Sequence, residues 1–96
     1  MRGQYVELSV TGPAQFTDAL LLEPGRTAAV AVVPTGFAGT VTLQRSLDGM
    51  SSWFDVERWV DGGVQGSYDA DVAQHIRAGV KTGEFSLGQV FLRLEV

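Results

Sequence analysis

Polar and apolar residues alternate along most of this chain, with glycine and proline breaking the pattern about every 10–14 residues. No other feature limits its fold as much. Val6, Leu8 and Val10 share one parity, with Glu7 and Ser9 on the other. Val41, Leu43, Arg45 and Leu47 alternate with Thr40, Thr42, Gln44 and Ser46, and Val90, Leu92, Leu94 and Val96 alternate with Phe91, Arg93 and Glu95. A period of two puts each set on one face of a strand, the apolar set inward. Ala28–Val33 is more uniformly apolar and β-branched, as expected of a strand covered on both sides or at an interface. The interruptions are turn chemistry: Gly12-Pro13, Glu23-Pro24-Gly25, Pro34-Thr35-Gly36, Asp48-Gly49, Asp61-Gly62-Gly63 and the run from Gly83 to Gly88. Strands are expected near 5–11, 17–23, 27–33, 40–47, 53–60, 64–70, 75–80 and 89–96. Asp69–His75 is the one segment that also fits a single helical turn, capped by Asp69 or Asp71. The expectation is an all-β domain over residues 1–96, a small β-sandwich or jelly-roll-like fold of about seven or eight antiparallel strands.

Length and composition are compatible with that fold and remove several functions. At 96 residues the chain suits one domain, and folding hides roughly 60–65 % of the unfolded surface, enough for a modest core. With no cysteine there is no disulfide, thiolate zinc site or Cys nucleophile. Seven Lys+Arg against 11 Asp+Glu give a net charge of −4, which argues against nucleic-acid binding, where cations neutralise phosphates. Apolar runs such as Ala28–Pro34 fall short of the ~20 residues a membrane helix needs, and no apolar run follows Met1–Tyr5 as a signal peptide would require. No membrane partner is expected.

Chemistry-bearing letters are sparse. Ser46, Asp48 and His75 contain the residue types of a catalytic triad, but no nucleophile-elbow pattern surrounds the serine, and His75 reads as an ordinary strand residue. Asp69 and Asp71 would face one way on a strand and offer oxygen ligands to Ca²⁺. The EF-hand spacing is missing, so two solvated carboxylates near a turn is the simpler reading. No phosphate cradle follows Gly79, Gly83 or Gly88. The chain is expected to be no enzyme and to need no metal or cofactor. Trp53 and Trp59 lie six apart, so an uninterrupted strand would aim both at one face, as core or as a platform for sugar rings.

The most informative segment is Ser46-Leu47-Asp48-Gly49-Met50-Ser51-Ser52-Trp53. It is similar to the Asp-box hairpin, Ser-x-Asp-x-Gly-x-Thr-Trp, with Met50 and Ser52 where that box usually has Gly and Thr. Ser46, Asp48, Gly49 and Trp53 are thus assigned turn and structural roles: Asp48 accepting from backbone N–H groups, Gly49 left-handed, Trp53 folded over the hairpin. In sialidases the box is structural, so the likeness implies a strand–turn–strand unit and no activity.

Reading outward, Gly39-Thr40-Val41-Thr42-Leu43-Gln44-Arg45-Ser46-Leu47-Asp48-Gly49 and Trp53-Phe54-Asp55-Val56 resemble a run found in small tailed-phage virion proteins. His75-Ile76-Arg77-Ala78-Gly79-Val80-Lys81-Thr82-Gly83 and Ser86-Leu87-Gly88-Gln89-Val90-Phe91-Leu92-Arg93-Leu94 resemble their second half. The resemblance implies a virion structural protein, a head decoration or accessory subunit that binds the major capsid protein or another virion component in many copies, itself a homo-oligomer. A tail, neck, spike or fibre component and a carbohydrate-binding sandwich are the alternatives. Phe37, Phe85 and Leu87, among glycines in expected loops, are the candidate apolar contacts, and Arg77 and Lys81 the candidate partners for acidic patches.

Overall fold

The computed structural model describes residues 4–60 and 63–96; Met1-Arg2-Gly3 and the Asp61-Gly62 part of one expected turn lie outside them. The described residues form eight antiparallel strands and no helix: β1 (Tyr5–Val10), β2 (Gln15–Phe16), β3 (Leu20–Leu22), β4 (Thr27–Ser46), β5 (Phe54–Val60), β6 (Val64–Asp69), β7 (Gln74–Val80) and β8 (Phe85–Glu95). The segment Asp69–His75 holds a bend, not a helical turn. The all-β sandwich expected from the alternation is the observed architecture, with the strands curling into a nearly closed, barrel-like sheet.

β4 organises the fold. Its first half pairs with β8 on one side and β6 on the other, and its second half pairs with β5 and β7. One sheet therefore runs β1-β8-β4-β6 and the other β5-β4-β7, with β2 and β3 beyond β7. The sequence pattern predicts two strands here, separated by a turn at Pro34-Thr35-Gly36. That expectation is corrected: the chain stays extended and bends from one sheet into the other. Pro34 is tolerated because the ladder with β6 ends at Val32, so a residue without an N–H costs no bond to that strand. Register shifts against β8 follow between Thr35 and Gly39. Here Gly36 and Gly88 both have positive φ, and a Cβ on Gly88 would stand 2.1 Å from the Gly36 carbonyl oxygen. Only glycine at position 88 lets the two backbones touch.

The shift reverses the inward parity. Ala28, Val30 and Val32 are buried before the bend, and Val41 and Leu43 after it. They meet Val10, Leu20, Leu22, Ile76, Ala78, Val80, Val90, Leu92 and Leu94 in a single apolar cluster. Two other expectations are refined in the same way. Of the segment 17–23 only Leu20–Leu22 is strand (β3), with the two-residue β2 ahead of it. Between them Thr17 bonds Ala78 twice, its N–H donating to Ala78 O at 2.8 Å and its Oγ1 accepting from Ala78 N at 3.1 Å. β8 begins four residues earlier than the alternation indicated, its start held against Gly39 and Ala38.

Leu43 is fully buried between the sheets. Leu43→Ala should destabilise the protein by about 2–5 kcal/mol through lost burial and a residual cavity. A chemical-denaturation midpoint within error of the parent would show that this parity is wrong.

Candidate functional site

The link between β4 and β5 is a turn built around one carboxylate. Asp48 Oδ1 accepts from Ser46 Oγ at 2.8 Å and from Ser52 N at 3.0 Å, while Oδ2 accepts from Ser52 Oγ. Met50 N donates to Ser46 Oγ at 2.9 Å, closing the loop. Bonds from Ser52, side chain first and then backbone, and from Ser46 favour the charged form and hold the Asp48 carboxyl down at about 2. Gly49 and Met50 both adopt left-handed backbone, φ 71° and 75°. Ser46, Asp48 and Gly49 therefore take the roles the sequence assigned. Met50 occupies a conformation that favours the glycine usual there. Around this turn Leu47, Met50 and Phe54 are 53, 49 and 61 % exposed.

Trp53 has a long-range partner as well. Its ring stacks on the Arg77 guanidinium, with Cζ 4.2 Å from the ring centroid. Arg77 also lies 4.3 Å from the centroid of Phe16, which reaches it from β2 on the far side of β7. The approach of β2 depends on Gly79, where a Cβ would stand 2.2 Å from Gln15 O and 2.6 Å from the Phe16 ring. Arg77 Nε donates to Gln44 Oε1 at 2.9 Å, and Gln44 Nε2 donates to Asp55 Oδ1 at 2.9 Å. Lys81 Nζ bonds Asp55 Oδ2 at 2.6 Å, Arg58 pairs with Glu84, and Thr42 Oγ1 lies 3.4 Å from the other Glu84 oxygen. Lys81 and then Gln44 hold the Asp55 carboxyl below its ordinary range. Burial lowers the Arg77 pKa. This polar and aromatic layer covers Thr42 and Gln44, which alternation alone would leave in water; both are buried.

A β-bulge between Leu43 and Gln44 of the β4–β5 ladder leaves Val56 without an opposite residue. Trp59 then stands opposite Val41 and packs on the core, while Trp53 lies on the outer layer. The two indoles do not share a face, so they form neither a common core pair nor the alternative platform for sugar rings.

The other expected sites resolve individually. Ser46 and His75 are register neighbours across β4 and β7. Ser46 is buried, and its one hydroxyl proton goes to Asp48, which leaves none for a general base. Asp69 Oδ1 accepts from Thr27 Oγ1 at 2.7 Å; Asp71 Oδ1 accepts from Val72 N, Gln74 Nε2 and Arg45 Nη1. The two carboxylates serve different partners, and among the described residues no group of three metal-ligating side chains forms. Nor is any helix among them long and apolar enough to cross a membrane.

Of the candidate contacts, Leu87 is 58 % exposed and Phe85 half-buried. Phe37 is corrected: it is 7 % exposed and packs on Phe85 with centroids 5.9 Å apart, closing the end of the sandwich where β4 bends. It is core, not a contact residue. Lys81 is held by Asp55. Sequence reasoning passed over Gln44 and Asp55, since only the β4–β7 and β4–β5 registers set Gln44 between Arg77 and Asp55.

The fold and this surface define the class as an antiparallel β-sandwich with a locked hairpin and a stacked arginine. No protein-family model, curated protein or solved structure matches the chain.

Two outcomes follow from the hairpin. Because the folded-state pKa of Asp48 is depressed from 3.8 to about 2, its stabilising contribution is complete above pH 4 and falls away as pH drops toward 2. Asp48→Asn should flatten that acid limb; a denaturant midpoint that falls with acid as steeply in the variant assigns the limb to other carboxylates. Met50→Gly should raise stability by about 0.5–1 kcal/mol, since relief of left-handed strain outweighs the added chain entropy. A lower midpoint would show that the Met50 side chain packs usefully.

Proposed function

We propose that this protein is a structural component of a tailed-phage particle, a head decoration or accessory subunit that binds the capsid or neighbouring subunits in multiple copies. The observation that carries the reading is the β4–β5 hairpin, where Leu47, Met50 and Phe54 stand exposed on a turn fixed by the Asp48 bonds. Exposed apolar groups on a preorganised support are what an interface core needs, because little ordering entropy is left to lose on contact. The resemblance of residues 36–96 to virion proteins supplies the context. The Ser46 proton given to Asp48 and the separate partners of Asp69 and Asp71 favour a binding role over catalysis. Partners are capsid or other virion proteins and further copies of the chain, with no nucleic acid or membrane involved.

Light scattering at high protein concentration and co-sedimentation with tailed-phage head shells that lack their accessory proteins test the reading. Oligomers and shell binding are expected, both reduced by the double change Leu47→Asp and Phe54→Asp. A lone monomer that leaves shells unbound overturns it, and antibody labelling confined to tails moves the protein to the tail.

A further inference from the structure

The outer layer of the second sheet contains five charged side chains, and four are neutralised in pairs. Lys81 bonds Asp55 and Arg58 bonds Glu84. Arg77 is the fifth. Among the described residues no carboxylate oxygen comes within 4.0 Å of it, and its one hydrogen bond runs from Nε to Gln44. Neither Nη has a hydrogen-bond or ion-pair partner among the described residues. No buried side-chain nitrogen or oxygen among the described residues lacks a partner, so both Nη atoms reach solvent. The guanidinium is therefore a cation whose inner edge is tied down and whose outer edge is open.

We propose that this open edge is a docking point for one carboxylate, an exposed Asp or Glu side chain on a protein partner. Three features of the site select that occupant. Phe16 and Trp53, approaching from β2 and from the hairpin, hold the guanidinium plane between their rings. Gln44, itself held by Asp55, fixes its rotation at Nε. Most of the rotamer freedom that an arginine gives up on binding is thus already gone, and two parallel N–H groups present the geometry a carboxylate accepts bidentately. The charge balance sets the valence: one unpaired cation between two neutralised pairs matches a single negative charge and gives a polyanion such as nucleic acid no run of free cations to bind. Burial, which lowers the Arg77 pKa, adds to the gain when a counter-ion arrives. The inference goes beyond the particle assignment and does not depend on it, because it rests on the geometry around Arg77 alone.

The full chain, labelled with ¹⁵N, is titrated with a blocked tripeptide, acetyl-Gly-Glu-Gly-amide, and with the same peptide carrying Gln in place of Glu. The Arg77 Nε–H and Trp53 indole N–H signals are followed. Saturable shifts of both are expected with the Glu peptide, with binding at least about tenfold weaker for the Gln peptide, the ratio expected when one charge-assisted hydrogen bond is lost. Arg77→Gln should abolish the response, and Arg77→Lys should weaken it, since charge is kept while fork and stacking are lost. Equal responses to the Glu and Gln peptides overturn the proposal without recourse to any variant. Tighter binding of inorganic phosphate or a short oligonucleotide than of the Glu peptide overturns it as well. Because these measurements use the isolated protein, their failure is separate from a failure to bind phage shells.

Discussion

The contact between Gly36 and Gly88 sets the terms for the rest of the molecule. A single extended segment of 20 residues has to serve two sheets, and a strand can leave one sheet for another only where its ladder is interrupted. Backbone against backbone at this corner gives the bend, the register shifts there reverse which side chains point inward, and Phe37 with Phe85 fills the wedge that opens. At the opposite end, Arg45 bonds Tyr68 Oη at 3.4 Å and Asp71 Oδ1 at 3.2 Å, and Tyr68 donates to Gln74 at 2.8 Å. One end is closed by aromatic packing, the other by hydrogen bonds. Between them the apolar faces of both sheets are matched layer to layer.

Much of this was legible in the residues. Alternation in β1, the second half of β4 and β8 identified the apolar inward faces. In β1 and β8 the opposite face is largely wet, whereas in β4 Thr42, Gln44 and Ser46 are buried as well. The Ser46–Trp53 segment announced its turn through local chemistry, with donors and acceptors only two to four residues apart. What escaped were features made by long-range register. Pro34-Thr35-Gly36 has the letters of a turn, and nothing local reveals that β8 keeps the chain extended there. Trp53 and Trp59 share a parity in the sequence, yet the bulge at Val56 puts them on different sides. Gln44 reads as an outward polar residue; Arg77, 33 positions away, and Trp53 cover it.

Candidate surfaces show the same division. The hairpin residues were identifiable because their function in the fold is local. Phe37 looked like a loop-borne contact because it sits among glycines, but those glycines create the corner that buries it. Arg77 was recognisable only as a cation near Lys81. The structure separates the two: Lys81 has its carboxylate, and Arg77 has aromatic rings in place of one.

A continuous β4 has a mechanical consequence. Its hydrogen bonds to β8, β6, β5 and β7 tie both layers to the same backbone, so neither layer can peel away while the other stays intact. Opening of the two sheets is thereby coupled into one cooperative event, and the central amides of β4 are placed among those freed only when the whole domain unfolds. Under a pull on either sheet, such a shared strand transmits load across the domain and leaves no weak seam between its halves.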